Sequence, residues 1–140
     1  MTQSTRDDLT DRLRRIEARM SEELDMLDEV YEADPEEFIE QHRDILEDLD
    51  LSTDPDDWHV SAIEERVRES FEDVLSIDYE RGEPFSVTLA WGGPNIYLVD
   101  LGGFGGTRLV GYWGYEEVIR TGSGVDRLID YFREYASEVY

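Results

Sequence analysis

The chain has 140 residues, with 36 acids against 13 bases, no cysteine and a formal net charge of −23. Such charge repels phosphates and makes nucleic acid and anionic membranes poor direct ligands; the missing cysteines exclude disulfides, thiolate metal sites and thiol nucleophiles. Apolar content of 39% with 16 aromatic residues excludes wholesale disorder, and no apolar run reaches the length of a membrane span or a signal-peptide core. A single domain over 1–140 in a cytoplasmic setting is the expectation.

The first predicted helix runs from Thr5 to Glu32. Leu9, Leu13, Ile16, Met20, Leu24, Leu27 and Tyr31 recur at three- and four-residue steps and fall in a stripe about 60° wide. A stripe that narrow predicts pairing, either with the second helix or with another copy as a homodimer through the N-terminal helix. "SEEL" at Ser21 offers a break point. "ADPEEF" then stops and restarts the chain: Asp34 suits an N-cap, Pro35 the first helical position, and Glu36 and Glu37 complement the helix dipole.

The second helix runs to about Asp50. Phe38, Ile39, His42, Ile45, Leu46 and Leu49 share one arc; Glu36, Glu37, Glu40, Asp44, Glu47, Asp48 and Asp50 share the opposite one, joined only by Arg43. "LSTDPDDW" reads as a polar linker. "SAIE" (Ser61 to Glu64) matches a capping box that opens a third helix to about Leu75, with Ile63, Val67, Phe71 and Val74 inward.

From Ser76 the period changes to two. "SIDYE", "FSVTLAW", "NIYLVDL" and "TRLVGYWGY" read as four antiparallel strands, with "RGEP", "GGPN" and "GGFGG" as turns. The closing helix starts at Ser123 as N-cap and faces Val125, Leu128, Ile129, Phe132, Ala136 and Val139 inward. The fold class is α+β: acidic N-terminal helices (1–75), then a short antiparallel meander sheet covered by a C-terminal helix (76–140).

Neither a catalytic set nor a cofactor or metal site converges in this pattern. "LGGFGGTR" lacks the spacing, the lysine and the following helix of a phosphate loop, and reads as a hairpin turn. His42 sits mid-arc as a satisfied interior histidine, and His59 has no spaced partner. "DPDD" is too short for a calcium loop. Trp91, Tyr97, Tyr112, Trp113 and Tyr115 are expected to pack in the core and on the sheet; Trp91, Tyr112 and Trp113 are the alternative, exposed anchors for a protein partner. With only Arg108 beside them, they lack the cationic surroundings that base stacking needs.

The acid is concentrated rather than spread. Ser21 to Asp57 holds 17 acids against Arg43 alone, net −16, whereas residues 81–140 carry net −3. The candidate partner-binding residues are therefore Glu36, Glu37, Glu40, Asp44, Glu47 and Asp48, flanked by Asp25, Asp28, Glu29 and Glu32. On a rigid helical rod their density matches that of phosphates along one strand of DNA.

The "WGGPNI" turn, the later "YWG" and the closing acidic helix resemble small proteins carried by phages and other mobile elements, among them anti-CRISPR and anti-restriction inhibitors, several of which act as DNA mimics. The resemblance covers residues 85–115 and the overall composition, and carries over no functional residue. Composition and resemblance together predict a non-enzymatic acidic inhibitor or decoy that blocks the basic nucleic-acid channel of a defence or DNA-processing complex. The alternative is a salt-adapted protein–protein interaction module that uses an aromatic sheet face.

Overall fold

The computed structural model describes residues 5–72, 74, 76–78, 85–102 and 106–139. In chain order these form α1 (Thr5–Glu29), α2 (Pro35–Asp48), a 3-10 turn (Pro55–Asp57), α3 (Val60–Glu72), β1 (Ser76–Asp78), β2 (Phe85–Ala90), β3 (Asn95–Asp100), β4 (Thr107–Trp113), β5 (Glu116–Arg120) and α4 (Ser123–Val139). The strands make one sheet in the order β1-β2-β3-β4-β5, each pair antiparallel. This is the expected α+β arrangement, a helical N-terminal part followed by a meander and a C-terminal helix. The chain divides into two compact units, Met1–Ser21 with Val74–Tyr140, and Glu22–Asp73. The boundary falls inside α1, which continues unbroken past Ser21.

In the sheet unit, period-two alternation puts Phe85, Val87, Ile96, Leu98, Leu109 and Val118 on one face, all buried. Gly111 continues that face, and a Cβ there would stand 2.8 Å from Leu9 Cδ1 and 3.1 Å from Leu13 Cδ2, so α1 lies directly on β4. The N-terminal half of the predicted stripe thus packs on the sheet. α4 packs on β3 and β4 with Val125, Leu128, Ile129, Phe132 and Ala136 buried as expected. Two ion pairs fasten these helices: Arg133 to Asp100 at 2.7 Å, its guanidinium 4.9 Å from the Phe85 ring centroid, and Arg120 to Glu17.

Two expectations change in this unit, and one strand is irregular. The strand expected over "TRLVGYWGY" ends at Trp113: the chain turns at Gly114, whose φ of 61° favours glycine, and "EEVIR" returns as a fifth strand. Leu89 falls where the β2–β3 register shifts, so it is half-buried while Val87 is fully buried. Ser123 is the first residue of α4 rather than its cap, and the Gly122 carbonyl accepts the Asp126 N–H at 3.1 Å. The "RGEP" turn, the middle of "GGFGG", Tyr79, Glu80 and the Val139 side chain lie outside the described residues.

In the Glu22–Asp73 unit, α2 forms as local chemistry dictates. The Asp34 carboxylate accepts the Glu37 N–H, Pro35 opens the helix, and Phe38, Ile39, His42, Ile45, Leu46 and Leu49 are buried. The helix ends at Asp48, and Asp50 takes a positive φ of 62°. In α1 the buried face shifts: Glu23 and Met26 turn inward with Leu24, as does Val30 just past the helix, while Leu27 is half-buried and Tyr31 is exposed in the turn beyond the helix. α3 begins at Val60, with the His59 carbonyl accepting the Ile63 N–H, so Ser61 sits in the first turn and does not cap it. Ile63, Val67 and Phe71 are buried as expected, and Val74 only half so. The helix ends at Glu72, short of the expected end at about Leu75, and Val74 already lies outside it. The "DPDD" linker is ordered as the 3-10 turn, capped by Asp54 accepting from the Asp56 N–H.

Candidate partner-binding face

Charge divides along the same boundary as structure. Glu22–Asp73 carries 22 acids and three arginines, net −19; the sheet unit carries 14 acids and ten arginines, net −4. The first unit therefore holds most of the net charge in little more than a third of the chain.

On α2, Glu36, Glu37, Glu40, Asp44, Glu47 and Asp48 are all exposed, opposite the buried arc. A straight helix of fourteen residues would span about 21 Å, a length along which one strand of B-DNA sets about six phosphates; α2 departs from the expected rigid rod at His42, where it is kinked. Glu36 and Glu37 lie at the positive end of the helix dipole, where carboxylates are favoured; Glu47 and Asp48 lie at the negative end, where they are not. Arg66 Nε donates to the Leu49 carbonyl at 3.2 Å and meets part of that end.

The flanking residues separate. Asp28, Glu29 and Glu32 join Asp34 and Glu37 around an open cleft of about 410 Å³ that Ala33, Phe38 and Gln41 also line. Asp25 is half-buried and does not line it. Glu29 also holds His42: its Oε2 is 3.3 Å from the buried Nε2. His42 Nδ1 makes no hydrogen bond and stands 3.9 Å from Glu22 Oε2. The expected satisfied histidine is thus paired through one nitrogen only, at a position where α2 is kinked (φ −119°, ψ 19°). His59 Nε2 meets the Asp57 carboxylate at 3.0 Å.

Sequence reasoning missed a second acidic cleft, of about 360 Å³, lined by Tyr31, Ser61, Glu64, Glu65, Arg68 and Glu69. The Tyr31 hydroxyl donates to Glu64, which also accepts from Arg68 Nε at 3.2 Å. The hydrogen bond from Tyr31 holds the Glu64 carboxyl below its ordinary range, with Arg68 helping, and the same bond pushes Tyr31 upward. The partners are 33 residues apart, so no local pattern announces them. The acids of α3 alternate with Arg66 and Arg68, which concealed an acidic surface in an apparently balanced helix.

Four of the five aromatic residues expected to pack are exposed instead: Trp91 is 69% accessible, and Tyr112, Trp113 and Tyr115 are also exposed, while Tyr97 is half-buried. They do not form one patch. Adjacent strand residues point to opposite faces, so Tyr112 lies beside Tyr97 at a centroid distance of 6.0 Å while Trp113 points to the other face. There Trp113 borders a cleft of about 160 Å³ with Thr5, Asp8, Leu9, Arg12 and Pro94. Burial raises the Tyr112 hydroxyl above its ordinary value, with Glu117 adding to it.

Among the described residues no group of three His, Cys, Asp or Glu side chains could hold a metal ion, and no helix is long and apolar enough to cross a membrane. No protein-family model, curated protein or solved structure matches the chain.

Proposed function

We propose that the protein is a non-enzymatic acidic decoy whose Glu22–Asp73 unit occupies the basic nucleic-acid-binding channel of a protein or complex, of the defence type that its mobile-element resemblance implies. One observation carries this reading: net −19 is confined to one compact unit while the sheet unit, on the same chain, carries −4. A coat that serves solubility alone has no reason to respect a structural boundary. A decoy needs the charge on the part that enters the channel, presented on helices stiff enough to hold phosphate-like spacing.

The test is capture of partners from the host on immobilised protein, followed by challenge with duplex DNA. A decoy's partner is released by the DNA, because both occupy one groove; a partner retained at saturating DNA overturns the reading. The second reading, a salt-adapted interaction module, is favoured by the exposure of Trp91, Tyr112, Trp113 and Tyr115. It predicts that the captured partner is lost when Trp91 and Trp113 are changed to Ala and kept when the acids of α2 are reversed.

A further inference from the structure

We propose that the Glu22–Asp73 unit is a fold gated by ionic strength: dissolved cations order it, while the sheet unit is indifferent to them. The inference concerns the free chain and does not depend on the decoy reading.

Three observations carry it. First, the net charge of −19 is held by 52 residues, among which Arg43, Arg66 and Arg68 are the bases of the sequence. Arg66 and Arg68 are engaged locally, with Glu69 at 3.8 Å and Glu64 at 3.2 Å. Second, α1, α2 and α3 all lack a basic residue in their last turn, and Glu29, Glu47 and Glu69 stand there instead, against the negative ends of the helix dipoles, although Arg66 meets part of the α2 end at the Leu49 carbonyl. Third, the opposing term is small: the unit's core is a set of buried side chains such as Leu24, Met26, Phe38, Leu46, Val67 and Phe71, within a span where burial is only just sufficient for stability. α4 also ends without a basic residue. However, it belongs to a unit near charge balance, where Arg120–Glu17, Arg133–Asp100 and Arg6–Glu116 pair opposite signs.

Repulsion among exposed acids and their dipole penalty are both long-ranged at low salt and short-ranged at high salt. The screening length falls from about 30 Å at 0.01 M to about 3 Å at 1 M. Acids on one small unit interact fully at the first value and hardly at all at the second. The sheet unit has little net repulsion to screen.

Amide hydrogen exchange of the full chain reads the two units separately. Raising sodium chloride from 10 mM to 0.5 M should slow exchange of Ile39–Leu46 in α2 by about tenfold or more, and of Ile96–Val99 in β3 by less than about twofold. Submillimolar spermine at low salt should protect α2 in the same way. Position within the helix supplies the sharper control: Glu47→Arg, at the negative end, should raise protection of α2 at 10 mM salt and flatten its salt response. Glu37→Arg removes the same charge from the positive end and should do much less, because it also removes a favourable dipole contact. Parallel responses of both units, an unresponsive α2, or equal effects of Glu37→Arg and Glu47→Arg would each overturn the gating. A rigid acidic unit at all salt concentrations would still leave the decoy reading standing.

Discussion

Two single positions show how closely the side chains constrain one another. Gly111 is the point where α1 meets β4: a Cβ placed there collides with Leu9 and Leu13, both buried and unable to move away freely. Gly111→Ala should therefore destabilise the protein by about 1–3 kcal/mol, the range for overpacking a filled core, and lower the melting temperature of the sheet-unit transition. Wild-type melting would mean that the leucines yield. Tyr31 and Glu64 make a second test, in pH. Glu64 is held below its ordinary 4.5, so its contribution is present above that value and lost as pH falls through the folded-state value. Tyr31 is raised above 10.0, so its contribution is present below that value and lost as pH rises through the folded-state value. The stability difference between wild type and Tyr31→Phe should be widest near neutrality and shrink toward both extremes. Denaturant titrations that give a constant difference across pH would contradict the pairing. None of these contacts was legible beforehand, since Gly111 resembles any strand glycine and Tyr31 finds its partner across 33 residues.

At the scale of elements, legibility followed locality. α2 could be read almost whole because its cap, its proline and its two opposed arcs are written within sixteen residues. The inward face of α4 was legible for the same reason. α1 was readable as a helix but not in what it buries. Its Leu9–Leu13 face answers to the sheet, and farther along Met26 and Val30 answer to a different core. A single apolar period cannot encode two such directions. β5 was hidden because "EEVIR" offers a weak alternation behind a run of aromatics that reads as one strand. The bulge in β2 distinguishes two positions of one strand. Val87→Asp places an uncompensated charge in the sheet core and should cost more than about 4 kcal/mol; Leu89→Asp, half-buried at the register shift, should cost about 1 kcal/mol. Equal costs would mean that the bulge does not protect Leu89.

For the whole molecule, the decisive property is that charge and compact structure share a boundary. Sequence counting located the excess of acid but drew its limits by residue number, and so missed α3 and the cleft around Tyr31. The fold also supports a matched comparison between two helices. Glu40, Asp44 and Asp48 on α2 repeat at four-residue steps, as do Asp130, Glu134 and Glu138 on α4, and all six are exposed. Reversing either trio to Arg changes the net charge equally and leaves the buried faces untouched. The measurement that bears most directly on the decoy account is the affinity of each triple variant for the partner captured from the host, taken across a salt series. The account predicts a loss of at least about a hundredfold for the α2 trio and less than about threefold for the α4 trio, with the wild-type affinity falling steeply as salt rises. Equal losses from the two trios would contradict it, and would leave the acid as a coat for solvation.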